Sequence, residues 1–229
     1  MGWREFWNGE HSIYVNQRHK VLHYDRIARD LAAYIPSPSA TVLDYGCGEA
    51  LSAAALAEKC GTLYLYDAAP SVQEKLRGRF ASYRNIVVLS SDGLDTIGEG
   101  SLDLIIANSL LQYLQHRELE ELLEIWHRKL KPDGRLVVAD VLPPDVDATA
   151  DVKALLDFAW RGGFLIAALG GLGKTFFSDY RRLRNEVGLT RYAPEDLFTL
   201  LAAHGFAGEQ SAQNVGHNQL RATYLARKV

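Results

Sequence analysis

The sequence predicts an α/β protein built on a doubly wound, mostly parallel sheet, and three observations lead there. Between residues 41 and 142 short β-rich runs alternate with helical stretches, the rhythm of strand–helix–strand units. Several of these runs are apolar throughout, as in strands covered by helices on both faces. With 229 residues, 48% of them hydrophobic and 23% charged, the chain can bury a core without disulfide or metal staples, as one domain or one domain carrying an insertion.

Taken in order, residues 1–36 read as an N-terminal helical cap. Val21, Tyr24, Ala28, Leu31 and Ile35 recur at helical spacing, and Pro36 and Pro38 stop the helix. Residues 37–142 form the core, with runs at Thr41–Tyr45, Thr62–Tyr66, Asn85–Leu89, Leu102–Ala107 and Arg135–Val141. Before the fifth run, Leu119, Leu122, Leu123, Trp126 and Leu130 make one apolar helix face, and Lys131-Pro132-Asp133-Gly134 signals a turn. Residues 143–192 interrupt the rhythm as an insertion. Phe158, Trp160, Phe164, Leu165, Ile166, Phe176 and Phe177 concentrate apolar surface there, flanked by Arg161, Lys174, Arg181, Arg182 and Arg184. Five glycines between 162 and 173 argue against a rigid long helix. Residues 193–229 complete the sheet. Pro194–His204 is a helix with proline near its start and Gly205 at its end. In the final strand Leu220, Ala222, Tyr224 and Ala226 alternate with Arg221, Thr223 and Arg227.

Charge and composition narrow the function. Lys+Arg 25 against Asp+Glu 28 gives net −3, which removes the electrostatic case for a nucleic-acid partner. Two cysteines are too few for a disulfide framework and suggest a reduced, cytoplasmic setting. The start lacks a basic segment followed by an apolar stretch, so no signal peptide is expected. The longest nearly uncharged apolar run, Gly162–Gly173, is too short to span a bilayer.

The most informative stretch is Val42–Ala50, an apolar strand that runs into Gly46-Cys47-Gly48 and then a helix rich in Ala53, Ala54, Ala55 and Ala57. Glycines let the backbone turn sharply and approach a ligand. A dinucleotide fingerprint wants a third small residue where Leu51 stands, whereas Asp44 ahead of Gly46 suits a cationic or amine-bearing ligand. At the end of the second run Asp67 is placed to accept ribose hydroxyls, and Asp92-Gly93 follows the third run.

This order of motifs resembles the class I S-adenosylmethionine-dependent methyltransferases over residues 40–142 and the final helix and strand. The matching stretches are Val42–Ala50, Leu63–Asp67, Ser91–Leu94, Leu102–Leu114 and Leu130–Asp140. The resemblance implies a Rossmann-like, seven-stranded sheet, S-adenosylmethionine as cofactor with S-adenosylhomocysteine as product, and a small-molecule acceptor methylated on O or N. It places Asp44 and Gly46 along the methionine part, Asp67 at the ribose, Asp92 and Gly93 at the adenine and Asn108 beside the sulfonium, with Cys47, Gly48 and Ala68 also among the cofactor-binding residues. Tyr14 would reach the cofactor's carboxylate, or pack. Acceptor contacts or a base are expected from Gln112, Tyr113, His116 and Asp140. For His116 the alternative is an exposed helix-start histidine, and for Asp140 a pairing with a backbone donor.

Two further patterns need weighing. His19 and His23 lie four apart and could share a metal on one helix face, but no third ligand is apparent, so no metal is expected. Ala168–Thr175 nearly spells a phosphate-binding loop, yet the chain after it is too short for a nucleotide-hydrolase core. The insertion has three readings: a packed subdomain, a lid over a hydrophobic acceptor, or a surface at 158–184 touching lipid or a partner subunit, as in a homodimer. An aromatic or lipid-like acceptor is the preferred substrate. A cofactor-binding module that does not methylate, serving regulation or scaffolding, is the alternative function.

Overall fold

The computed structural model describes residues 3–8, 14–176 and 188–229. A seven-stranded sheet runs in the order β3-β2-β1-β4-β5-β7-β6. Its strands are β1 (Thr41–Tyr45), β2 (Thr62–Tyr66), β3 (Ile86–Val88), β4 (Leu102–Asn108), β5 (Leu130–Val141), β6 (Phe206–Gln210) and β7 (Ala222–Lys228). Strands β1 to β5 are parallel, while β7 runs antiparallel to both β5 and β6. Strand order reverses between β1 and β4, so their carboxyl ends diverge and open a crevice.

Helices cover both faces, as the apolar runs require. Strand residues alternate between two cores. Leu43, Ile105, Leu136 and Val138 face α5 (His116–Lys129) and α8 (Pro194–Ala203) through Leu119, Leu123, Trp126, Leu197 and Leu201. Val42, Leu104, Ile106 and Val137 face α2 (Gln17–Ala32), α3 (Ala53–Ala57) and α4 (Pro70–Phe80) through Leu31, Leu56, Leu76 and Phe80. Each fully buried leucine contributes about 1.5–3 kcal/mol. The period-2 alternation therefore locks register, because a one-residue slip would exchange the two cores.

Caps set where helices start and stop. Asn16 Oδ1 accepts the His19 N–H at 2.8 Å to begin α2, and Asp147 Oδ1 accepts the Ala150 N–H at 2.9 Å to begin α6 (Ala148–Gly162). Gly163, left-handed at φ 70°, ends α6, and α7 (Leu165–Phe176) turns back beside it. A short N-terminal helix, α1 (Trp3–Trp7), completes the set of described helices.

Two expectations about the insertion agree with the structure, and two about the strands change. The Gly-rich part of the insertion makes no single long helix, since left-handed Gly163 breaks it; Phe164 and Ala168 bury against Leu22 of α2 and Phe158 of α6, and that burial keeps α7 helical despite its glycines. Ala168–Thr175 lies in that helix and so forms no phosphate loop. The fifth strand begins at Leu130 opposite Leu102, with a register shift that absorbs the turn at 131–134. The final strand has an antiparallel neighbour in β6, and its alternation is imperfect: Leu220 is 55% exposed whereas Thr223 is buried. Thr223 tolerates burial because its hydroxyl donates to Asn214 Oδ1 at 2.7 Å and accepts the Val215 N–H at 3.0 Å. Trp160, Ile166 and Leu169 project outward from α6 and α7. Phe177, Arg181, Arg182 and Arg184 lie outside the described residues, as do the side chains of Lys174 and Phe176. No described helix is long and apolar enough to cross a membrane.

Candidate active site

The crevice at the β1/β4 divergence is a cleft of about 1660 Å³. Its first wall is the loop after β1. The Gly46 and Cys47 N–H groups both donate to the Tyr66 carbonyl, at 2.7 and 3.1 Å, which ties the loop to the end of β2. Gly46 and Gly48 have φ of 74° and 56°, a left-handed region where a Cβ is strained. A Cβ on Gly46 would stand 3.0 Å from Leu110 Cδ1, while one on Gly48 would meet only the Tyr24 hydroxyl, at 3.6 Å. Gly48 thus presents bare backbone to the cleft.

Asp67 closes this wall. Its carboxylate accepts the Gly48 N–H at 3.0 Å and the Ala69 N–H at 2.9 Å, so one side chain staples the two strand-end loops. Burial raises its affinity for a proton, and the two backbone N–H groups oppose that shift. Behind the loop, Asp44 is buried at 8% exposure and lines a separate small cavity of about 50 Å³. Burial, with Asp67 nearby, lifts its carboxyl to about 7. The Cys47 thiol is pushed well up by burial and the same two carboxyls, so it stays protonated.

The ends of β4 and β5 form the floor. Asn108 Oδ1 is buried at the cleft with no hydrogen-bond partner among the described residues. Ser109 and Asp140, both left-handed at φ 55° and 58°, face each other, and the Ser109 hydroxyl donates to Asp140 Oδ2 at 2.7 Å. Non-glycine residues in that region are uncommon and cluster at functional sites. Arg221 then joins three elements: it binds Asp140 at 2.8 Å and Asp151 of α6 at 3.2 Å, and reaches Gln112 Oε1 at 3.4 Å.

Rings make the remaining walls. Trp3 and Trp7 of α1 pack on Tyr113 at centroid distances of 4.6 and 5.6 Å. Asn8 pins this cap to the start of α4, where its Oδ1 accepts the Ser71 N–H at 3.1 Å. On the other side Tyr14, His19, His23, Tyr24 and His217 contact one another, backed by Phe158 and Phe164. Burial, then neighbouring imidazoles, lowers His19 to about 4 and His23 to about 3. His217 is lowered too, chiefly by burial. Burial raises both tyrosines, Tyr24 to about 12. Among the described residues no His, Cys, Asp or Glu group could hold a metal.

The cleft brings together Tyr14, Gly46, Cys47, Gly48, Asp67, Ala68, Asn108, Gln112, Tyr113 and Asp140 from the sequence reading. It leaves others out. Asp92 is solvent-exposed, its carboxylate accepting from Ser90 Oγ at 2.7 Å, and neither it nor Gly93 lines the cleft. His116 also stands outside: at the solvent-facing start of α5 its side chain is 68% exposed and faces Glu120 at 3.7 Å. Asp140, though in the cleft, is engaged by Arg221 and Ser109, so its Oδ2 already accepts two donors. Sequence reasoning missed Arg221 as a site residue, and missed His217 and the Lys20–Glu49 ion pair at 2.5 Å beside the glycine loop. The one available signal was polar density: Asn214, His217, Asn218 and Gln219 crowd a loop ahead of an apolar strand.

Residues 42–134 match a family described as a methyltransferase domain. Ribosomal protein L11 methyltransferase of Burkholderia mallei is 33% identical over 126 residues, 54% of this chain and 40% of that protein. The chain thus spans well under half the length of the curated relatives it matches. Among solved structures, magnesium protoporphyrin IX methyltransferase of Synechocystis, with bound S-adenosylhomocysteine, superposes with TM-score 0.59 at 16% identity, covering 99% of this chain and 93% of that one. The 1,6-didemethyltoxoflavin-N1-methyltransferase of Burkholderia thailandensis gives TM-score 0.57 at 19% identity, over 90% and 78% of the two chains. Sheet order, glycine loop and strand-end carboxylate agree with that match: residues 42–134 are similar to a methyltransferase domain, set in a sheet that the solved methyltransferases share.

Proposed function

We propose that the chain transfers a methyl group from S-adenosylmethionine to an O or N atom of a small aromatic acceptor. The observation that carries this reading is the cleft itself: Asp67 and bare Gly48 backbone, the unpartnered Asn108 Oδ1 and a ring-lined chamber share one space. Those donors and acceptors suit the cofactor. Asp67 keeps lone pairs for ribose hydroxyls beyond its two backbone N–H bonds, and Asn108 Oδ1 awaits a donor. When bound, S-adenosylmethionine supplies an electrophilic methyl carbon on a sulfonium.

The chain's own contribution is placement. The glycine loop and Asp67 hold one molecule, the rings hold another, and α1 with α6 and α7 shield the space between from water. Such pre-orientation accounts for up to about 7–11 kcal/mol of a bimolecular barrier. About 1660 Å³ exceeds the roughly 300–1,000 Å³ of a single small-molecule pocket, which leaves room for an acceptor and disfavours a module that only binds. We assign the lid role to α6, since its Asp151 and Leu155 line the cleft, with α7 packed behind it.

Calorimetry tests this. S-adenosylmethionine and S-adenosylhomocysteine should each give binding heat with the full chain, and Asp67→Ala should abolish it, with affinity falling at least a hundredfold. An absence of heat with the unaltered chain would sink the proposal. Product formation with phenolic and heteroaromatic acceptors then tests transfer itself.

A further inference from the structure

One ring in the cleft does nothing in the scheme above. His23, on α2, opens into the cleft, and its Nδ1 is buried with no hydrogen-bond partner among the described residues. The rings around it are otherwise occupied. His19 Nδ1 accepts the Val15 N–H at 3.3 Å while its ring stacks on Phe164 at 5.0 Å, and His217 stacks on Phe158 at 4.6 Å. A buried polar atom left without a partner costs about 1–3 kcal/mol, so its retention asks for a ligand that completes it.

We propose that His23 is a catalytic residue that receives the acceptor's proton, and that the acceptor is a neutral aromatic molecule with a hydroxyl or ring N–H. This rests on the methyl-transfer reading. The charged groups of the chamber favour a neutral guest. Arg221 of the loop before β7 is held between Asp140 of β5 and Asp151 of α6, and Lys20 of α2 is held by Glu49. A carboxylate or phosphate entering here would meet acids already matched to their cations. The rings of His19, His23 and His217 line the chamber and offer flat faces to an aromatic plane, with Phe164 and Phe158 stacked behind two of them.

Burial, His217, His19 and Arg221 all disfavour the imidazolium, so His23 is neutral with a lone pair to offer throughout the physiological range. A base that weak does not ionise a phenol beforehand. The proton therefore moves with or after bond formation. The acceptor heteroatom's lone pair bonds the methyl carbon as the carbon–sulfur bond breaks, its electron pair remaining on sulfur. The heteroatom, now positively charged, is a strong acid; its proton passes to the imidazole and from there to water.

The test uses the full chain saturated with S-adenosylhomocysteine and 4-nitrophenol as probe, whose phenolate is coloured and whose phenol is not. The unaltered chain should take up the phenol form and bleach the phenolate band. His23→Phe should weaken uptake about tenfold, the effect of one hydrogen bond. His23→Gln, which keeps a hydrogen-bond acceptor but no useful base, should retain uptake and lose methylation of the probe. Uptake as phenolate, no uptake, equal uptake by His23→Phe, or unimpaired transfer by His23→Gln would each overturn the assignment. S-adenosylhomocysteine binding by every variant reports folding, and its failure with the unaltered chain would remove the methyl-transfer reading as well.

Discussion

On the cofactor side of the cleft, burial keeps a carboxyl protonated: Asp44 is lifted to about 7. On the acceptor side, burial keeps imidazoles unprotonated, with His19 near 4 and His23 near 3. One force, the loss of water around a charge, acts on both and suppresses whichever charged form the side chain would carry. The sides also differ in construction. Backbone N–H groups and short strand-end loops build the first, and the second is assembled from side chains on α2, α6, β5 and the loop before β7. The first is therefore expected to survive most single substitutions away from Asp67, and the second to depend on a few ion pairs and stacked rings.

The strongest way to break the acceptor side is Arg221→Met. It leaves the half-buried Asp140 and Asp151 without their cation, and a chemical-denaturation midpoint should report a loss of about 2–3 kcal/mol.

Proton linkage sharpens the contrast with two opposite slopes. Asp44 titrates at 3.8 when unfolded and about 7 when folded, so its contribution is complete below 3.8 and is lost as pH rises through 7. Asp44→Asn should stabilise the protein above pH 7 by up to about 4 kcal/mol and leave it little changed at pH 4. The histidines run the other way. From 6.5 unfolded to about 4 and 3 folded, their contribution is present above 6.5 and is lost as pH falls through the folded values. Melting temperatures across pH should show an acid decline that His23→Phe reduces.

Within the cofactor side, Gly46→Ala should cost more than Gly48→Ala. Both pay a left-handed φ, about 1–3 kcal/mol, but only the first drives a Cβ to 3.0 Å from Leu110. Comparing the two in thermal melts separates backbone strain from side-chain clash. The smallest effect is expected at the surface: His116→Ala should change stability by no more than about 0.5 kcal/mol and leave turnover unchanged, since its ring is 68% exposed and faces Glu120.

The glycine loop, Asp67 and four core strands could be read from residues alone because each is local. An apolar run, a turn and a carboxylate at the strand's end lie within a few positions. The acceptor chamber could not be read that way. Arg221 is 81 positions from Asp140 and 70 from Asp151, and no periodicity connects residues so far apart. His116 illustrates the reverse error. It follows a motif that often borders substrate, yet it is the first residue of α5, where the helix overhangs the core that Leu119 and Leu123 enter a turn later, so its ring stands in water. Glycine content marks the break at Gly163, while α7 beyond it stays helical because propensity costs about 1 kcal/mol per glycine and the burial of Phe164 and Ala168 offsets that cost.

The amino-acid sequence by itself determined the sheet, the two-sided burial of its parallel strands and the cofactor loop, since alternation and turn chemistry act over a few residues. Only the tertiary structure decided which side chains face the acceptor. The sheet's crossover carries α2, α6 and the loop before β7 to one strand edge, and burial there sets the protonation of groups that would titrate normally in water.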